Sequence, residues 1–311
     1  MITVAAVNPS VDRLLRVRRL RPGTIHRPHD QVSVPGGKGL NVARVALALG
    51  ADVQVVGIAA GANGRWLAGA VERLGLPAQW VWASGETRTC TSVAEDDGDR
   101  DLTEFYEPGP PVPAQTWREY AELVHGAARG TSWLAVSGSL PPGAGAPELS
   151  DLLAAGAART AVDVSGAPLA TATGAVDLVK LNAAETADLV GDRAGVDERD
   201  LPGLCRALRD RWGGETVAVV TGGRQGAVLS VVDRRPVWAR VPVTGSYPVG
   251  SGDAFLAGLL TARESESSWE DALRLATAAA AANAEVPGAG VLTARRVREL
   301  VPLVEMEEVR P

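Results

Sequence analysis

The sequence predicts an α/β fold: a doubly wound, mostly parallel sheet with a small β-sheet lid set apart from it. Three observations carry that reading. Short, continuous apolar runs alternate with helical segments, as buried parallel strands do with their crossover helices. Two segments, at about 13–34 and 87–111, break the alternation with mixed polar and apolar texture and turn signals, which marks inserted strands outside the main sheet. The irregular, glycine-rich stretches fall at strand ends, where open α/β sheets bind ligands.

The elements follow in order. Residues 2–7 read as a buried strand ending at Asn8-Pro9-Ser10-Val11-Asp12. From Leu14 to Val34 two short strands form half of the lid. Pro35-Gly36-Gly37-Lys38-Gly39-Leu40-Asn41 then leads into a helix over 42–49, with Gly50 as its stop. A strand over 52–58, a turn at Gly61-Ala62-Asn63-Gly64 and a helix from Arg65 to Leu74 establish the alternation. Residues 87–93 and 101–107 flank Asp96-Asp97-Gly98-Asp99, a hairpin signature that supplies the lid's second half. An amphipathic helix to about Arg129 precedes the strand 133–136 and the turn Ser137-Gly138-Ser139-Leu140-Pro141. Strands at 161–164, 176–180 and 216–220 continue the pattern, and two short strands broken at Asp233-Arg234-Arg235-Pro236 precede helices from about Ala254, Trp269 and Thr293.

Composition excludes several function classes. A formal charge of −6 argues against nucleic acid or an anionic membrane as partner. Cys90 and Cys205 are far apart and the three histidines lack ligand-spaced companions, so neither a disulfide framework nor a structural metal is expected. With no basic leader before Val7 and no apolar segment of spanning length, the expectation is a soluble, cytoplasmic protein.

Of 31 basic side chains only Lys38 and Lys180 are lysine, in a chain rich in Arg, Ala, Gly and Val. Arg replaces Lys readily on a solvated surface, less readily where a compact ammonium must sit among phosphate oxygens. Asparagine is also scarce, confined to Asn8, Asn41, Asn63, Asn182 and Asn283. Lys38 and Asn41 share one expected helix start. Lys180 and Asn182 share another, where Asn182 caps the helix and Glu185 in its first turn either completes the cap or orders the waters of a magnesium ion.

Val249-Gly250-Ser251-Gly252-Asp253 opens directly onto an apolar helix, so the amides of residues 250–253 converge at a positive helix end. Asp253 at its rim can take a proton from an attacking hydroxyl while the amides stabilise a phosphoryl group in flight. The same residues also suit a plain helix cap. Thr221-Gly222-Gly223-Arg224-Gln225-Gly226-Ala227 is a turn that either cups a nucleotide or only joins two strands.

Taken in order, Asn8-Pro9-Ser10-Val11-Asp12, Gly36 to Arg44, Thr87-Arg88, Ser137 to Pro141, Lys180-Leu181-Asn182 with Glu185, and Gly250 to Asp253 resemble the ribokinase-like sugar kinases of the PfkB group, near the 1-phosphofructokinases and tagatose-6-phosphate kinases. Both lysines fall inside these motifs. The resemblance implies a single domain over residues 1–311, a three-layer α/β/α sandwich with a mostly parallel central sheet and a small β-sheet lid. It implies Asp253 as catalytic base and Gly250, Ser251 and Gly252 as the anion hole. Asp12, Gly37 and Asn41 would contact sugar hydroxyls, while Lys38 and Arg88 hold the phosphate already on the sugar, assisted by Ser137. Lys180, Asn182 and Glu185 would face the ATP phosphates and Mg2+, with Glu185 acting through water, and Thr221, Gly223, Gly226 and Asn283 would line the nucleotide pocket. ATP and Mg2+ are the expected cofactors, with a monovalent cation as an open option, and a homodimer through the lid is the expected assembly.

Glu104 in Thr103-Glu104 and Ser251 lean toward the tagatose-6-phosphate kinase pattern, because many 1-phosphofructokinases carry Lys and Asn where Glu104 and Tyr106 stand and Ala where Ser251 stands. The expected activity is therefore ATP-dependent phosphorylation of a ketohexose phosphate, fructose 1-phosphate or tagatose 6-phosphate. The alternatives are a kinase of an unphosphorylated sugar or nucleoside, which would not use both Lys38 and Arg88, and a catalytically idle sugar-phosphate sensor, which would not need Asp253 and Lys180.

Overall fold

The computed structural model describes residues 1–96, 102–164, 166–191, 200–213, 215–243 and 245–309. Strand β1 (Ile2–Ala6) is followed by β2 (Ser10–Val17), β3 (Asp30–Gly36), helix α1 (Lys38–Ala48), β4 (Val53–Ala60), α2 (Gly61–Arg73), β5 (Ala78–Ala83), β6 (Thr89–Glu95) and β7 (Thr103–Tyr106). The chain continues through α3 (Ala114–Ala128), β8 (Trp133–Ser137), α4 (Ala146–Leu153), β9 (Thr160–Asp163), α5 (Ala167–Thr171), β10 (Leu178–Asn182), α6 (Ala183–Val190), α7 (Leu201–Trp212) and β11 (Val217–Thr221). It ends with β12 (Ala227–Ser230), β13 (Val237–Arg240), α8 (Ser251–Glu264), α9 (Trp269–Ala284), α10 (Ala294–Leu300) and β14 (Glu305–Glu308).

The large sheet has ten strands in the order β14-β13-β12-β11-β10-β9-β8-β1-β4-β5. Its pairs from β5 to β11 are parallel, and β12, β13 and β14 add antiparallel strands at one edge. Alternation along β1 divides the interior. Ile2, Val4 and Ala6 join a core with α1, α2, α8, α9 and α10, whereas Ala5 and Val7 join a second core with α3, α4, α5 and α7. Two buried layers on opposite faces of one sheet make the expected α/β/α sandwich. Winding proceeds outward from β1 through β4 to β5 and, in the other direction, from β8 to β11. The reversal lies between β1 and β8, so the strand ends beside it form a ligand crevice.

The second sheet has the order β3-β2-β6-β7. Its strands begin at Ser10 and extend to Gly36 on the N-terminal side, because β2 continues straight from the turn after β1. The hairpin between β6 and β7 is antiparallel as expected, and its tip at 97–101 lies outside the described residues. Register places Asp12 opposite Cys90 and Cys90 opposite Tyr106, so these three side chains share one face.

Several boundaries differ from the sequence expectation for physical reasons. Gly61 to Gly64 is the first turn of α2 and no separate turn: Glu86, distant in sequence, accepts hydrogen bonds from the amides of Ala62 (2.9 Å) and Asn63 (3.0 Å). Those amides also hold the Glu86 carboxyl below its ordinary range. Helices α1 and α8 begin at Lys38 and Ser251, each earlier than its apolar run. Strand β14 carries Glu305, Glu307 and Glu308, a composition that hides a strand, and is matched to its neighbour by Arg240–Glu305 (3.1 Å) and Arg235–Glu308 (3.5 Å) ion pairs. Among the described residues no helix is long and apolar enough to cross a membrane.

Candidate active site

A cavity of about 670 Å³ opens between the carboxyl ends of the central strands and the Asp12–Cys90–Tyr106 face of the small sheet. Its floor is the start of α8. Gly250 precedes that helix in the left-handed region at φ +78°, and an added Cβ would stand 2.7 Å from Gly290 N, so only glycine fits the turn. No side chain caps α8. Ser251 N is used by Pro248 O and Ala254 N by Gly250 O, which leaves the amides of Gly252 and Asp253 for a ligand. The capping role weighed for Ser251 and Asp253 is thus absent.

Asp253 is buried beside this turn and accepts from Asn41 Nδ2 at 2.8 Å. Burial pushes its carboxyl up to about 7, and the neighbouring Asp163 adds to the rise against the pull of Lys180 and Lys38. A buried carboxylate titrating near neutrality is suited to general-base work.

The two lysines converge on one residue, Asp163 at the end of β9. Lys180 Nζ donates to Asp163 Oδ2 at 2.6 Å, and Lys38 Nζ donates to Asp163 Oδ1 at 3.1 Å and to Glu185 Oε1 at 2.9 Å. Asp163 is fully buried; burial alone would raise its carboxyl, and the lysine pair overcomes that and lowers it. In the same way Asp163, Glu185 and Asp253 outweigh burial at Lys38 and raise its ammonium, which stays charged. Buried ion pairs bring little net stability because desolvation offsets attraction, so their presence here points to a site kept for chemistry.

At the small-sheet end, Asp12 Oδ1 accepts from Ser10 Oγ (2.5 Å) and Oδ2 from Gly37 N (3.4 Å), while burial raises its carboxyl against these bonds and the charges of Arg88 and Arg44. Arg88 Nε and Nη2 donate to Asn8 O (3.3 and 3.0 Å), which orients the guanidinium and leaves Nη1 for a ligand. At the opposite end, Asn182 Oδ1 accepts from Glu185 N (2.8 Å) and Glu185 Oε2 from Asn182 N (3.0 Å), a reciprocal cap on α6. Register sets Asn182 beside Thr221, and Gly223 and Gly226 follow in the 3-10 turn joining β11 to β12. Ala280, Ala281 and Ala284 of α9, with Val241 and Val243, give this end an apolar wall.

The structure therefore brings Asp12, Gly37, Lys38, Asn41, Arg88, Lys180, Asn182, Glu185, Thr221, Gly223, Gly226 and residues 250–253 to one cavity. Ser137 and Asn283 do not reach its wall. Ser137 is buried at the end of β8 with no partner for its Oγ, and Ser139 lines the cavity two residues on. Asn283 lies beneath the α8 turn: Nδ2 donates to Val249 O (2.8 Å) and Ser251 Oγ (3.1 Å), and Oδ1 accepts from Gly290 N (2.8 Å) and Val291 N (3.3 Å). Glu185 meets Lys38 and not the sequence-adjacent Lys180. Asp163 is the one central residue the sequence reading missed; its signal was a carboxylate closing an apolar strand, opposite Ser137 in register.

The residues fit a magnesium nucleotide. Glu185 is a hard oxygen donor in the cavity wall, with Oε2 held in the α6 cap and Oε1 on Lys38, a single carboxylate of the kind that meets a magnesium ion through its waters. Gly252 keeps the backbone clear of Lys180, whose Nζ would stand 2.9 Å from an added Cβ, so the ammonium and the free amides face the same space.

Comparison with known proteins agrees. Residues 2–295 match the pfkB family carbohydrate kinase pattern. The chain is 33% identical over 298 residues to a 1-phosphofructokinase of Haloferax volcanii, covering 96% of this chain and 90% of that protein. It is 29% identical over 290 residues to the ATP-dependent 6-phosphofructokinase isozyme 2 of Mycobacterium tuberculosis, covering 92% and 85%. The structure of phosphofructokinase-2 from Escherichia coli in complex with substrates and products superposes with a TM-score of 0.88 at 27% identity, covering 97% of this chain and 98% of that one. With a glycine-shaped helix start, a buried carboxylate and two lysines joined through Asp163 beside one crevice, and a family match over residues 2–295, the chain belongs to the pfkB family of carbohydrate kinases.

Proposed function

We propose that this protein transfers the γ-phosphoryl group of ATP to a hydroxyl of a ketohexose phosphate, fructose 1-phosphate or tagatose 6-phosphate. The observation that carries the reading is the position of Asp253, a buried carboxylate beside unpaired helix amides and two lysines. Asp253 accepts the proton of the attacking hydroxyl as the sugar oxygen bonds to the γ-phosphorus and the bond to the β–γ bridging oxygen breaks. The amides of Gly252 and Asp253 neutralise charge on the group in transfer, with Gly250 setting the turn and Ser251 fixed by Asn283.

Asp12, Gly37 and Asn41 orient the sugar hydroxyls, and the buried, unpaired Asn41 Oδ1 is an acceptor open to one of them. Lys38 and Arg88 hold the phosphate already on the sugar, and Ser139 takes the assisting position expected of Ser137. Lys180 and Asn182 face the ATP phosphates, Glu185 faces Mg2+ through water, Asp163 holds the two lysines from beneath, and Thr221, Gly223 and Gly226 line the nucleotide pocket. When bound, Mg2+ supplies charge neutralisation between phosphoryl oxygens. The small sheet acts as a lid that excludes water and limits ATP hydrolysis. Phe105 is exposed on the face of the small sheet turned away from the cavity, Ile25 is exposed in the loop between β2 and β3, and a second copy of the chain covers this lid surface in a homodimer; a monomer mass in solution at micromolar concentration contradicts that assembly.

The test is Asp253→Asn. Turnover falls by about 10²- to 10⁴-fold with ATP affinity retained; near-normal turnover contradicts the mechanism.

A further inference from the structure

One contact joins the two halves of the cavity. Lys38, which serves the sugar phosphate, donates to Glu185 Oε1 at 2.9 Å, and Glu185 serves the magnesium nucleotide. We propose that this ion pair couples the two substrate sites, holding Lys38 back from the sugar phosphate until a magnesium nucleotide engages Glu185. The inference rests on the function proposed above.

The geometry separates a fixed bridge from one that can open. Asp163 and Lys180 are 0% and 3% exposed and pair at 2.6 Å, whereas the Lys38 and Glu185 side chains are 32% and 18% exposed, so solvent and ligands reach their contact more readily. The two oxygens of Glu185 also differ. Oε2 is held by the Asn182 amide in the cap on α6, while Oε1 has Lys38 as its partner. Lys38 keeps Asp163 as a tether at 3.1 Å when Glu185 lets go, and its ammonium has donors to turn toward a phosphate. The contact at Oε1 can therefore exchange without unfolding the helix start or freeing the lysine.

Charge sets the sign of the coupling. With Asp253 ionised, the cluster holds two positive side chains, Lys38 and Lys180, and three negative ones, Asp163, Glu185 and Asp253. A sugar phosphate arriving alone competes with Glu185 for Lys38 and leaves that carboxylate with only its backbone partner. A divalent cation beside Glu185 replaces the lost partner and frees the lysine. The nucleotide thus tightens sugar-phosphate binding, and by linkage the sugar phosphate tightens nucleotide binding by the same factor.

Titration calorimetry on the full chain tests this, with fructose 1-phosphate and with tagatose 6-phosphate, in the absence and presence of saturating magnesium adenylyl imidodiphosphate. Wild-type protein is compared with Glu185→Gln, which keeps the cap to the Asn182 amide but has no charge to hold Lys38. The expected result is that the nucleotide tightens sugar-phosphate binding to the wild type by about tenfold. Glu185→Gln binds the sugar phosphate alone roughly fivefold tighter than wild type does, and the nucleotide adds little. The coupling is overturned if Glu185→Gln binds the sugar phosphate alone no tighter than wild type, or if the tightening factor is equal in the two proteins. If the wild type binds neither sugar phosphate with or without nucleotide, the substrate reading proposed above fails, and the coupling with it.

Discussion

Asp253 holds its proton up to about pH 7, well above the ordinary 3.8, chiefly because burial penalises its charge and secondarily because Asp163 stands nearby. A base must be deprotonated to act, so kcat/KM falls about tenfold per pH unit below roughly 7 and levels above it; a profile flat from pH 5.5 to 8 contradicts the assignment. The same shift governs stability. Between pH 3.8 and about 7 the unfolded chain releases this proton while the folded chain keeps it, so stability from this group declines through that window and the cost is complete above it. Asp253→Asn removes the cost and leaves the two lysines matched by Asp163 and Glu185. Its Tm therefore rises by a few °C, roughly 1–3 kcal/mol, at pH 8 and by less at pH 5, as thermal denaturation at both pH values will show. Arg88→Ala raises KM for the sugar phosphate about 10- to 100-fold and changes KM for ATP less than twofold, since one charge-assisted phosphate contact is lost. Equal effects on both substrates would remove Arg88 from the sugar side. At this scale the sequence was informative where residue types are scarce. Two lysines in an arginine-rich chain pointed to the cavity, but the aspartate that joins them did not stand out among many acidic residues, because only the folded register carries Asp163 to Lys38, 125 positions away.

Among the elements, α8 depends on its neighbours for the shape of its first turn. Asn283 on α9 ties the residue before Gly250 and the side chain after it to the 290–291 loop, which in turn backs Gly250. Asn283→Ala strands buried partners on both sides, so stability falls by about 2–3 kcal/mol and kcat falls more than either KM rises, a split visible in steady-state kinetics beside a denaturant melt. The resemblance implied that Asn283 contacts nucleotide; the folded chain places it fully buried beneath the α8 turn, a location set by packing that sequence position alone does not reveal. Other elements were legible in proportion to their local signals. The Asn182–Glu185 cap was readable as a pair three residues apart and forms as read. The start of α2 was not, since its cap arrives from Glu86 across the fold, and β14 was hidden because arginines on its neighbours balance its acids.

Across the whole molecule, the continuous apolar strands and their crossovers made the layered α/β architecture readable, and the two departures from that rhythm marked the strands of the small sheet. The edges of the large sheet were less so: β5, with exposed Trp82, and the antiparallel β14 lack the buried periodicity of central strands. The assembled molecule places the buried Asp253, a helix start and the cationic Lys38, Arg88 and Lys180 in one crevice under a sheet whose own side chains, Asp12, Cys90 and Tyr106, line it from the other side. Under the proposed function, the sandwich carries the reaction class and the small sheet the choice of sugar. The most direct measurement is ADP release by the purified protein with ATP and Mg2+, coupled to a readout, across fructose 1-phosphate, tagatose 6-phosphate, fructose 6-phosphate and the free sugars. Turnover on a ketohexose phosphate at least 10²-fold above every free sugar is the predicted result, reflecting the charge-assisted contacts of Lys38 and Arg88; equal or greater turnover on a free sugar, or none on any phosphorylated one, contradicts it.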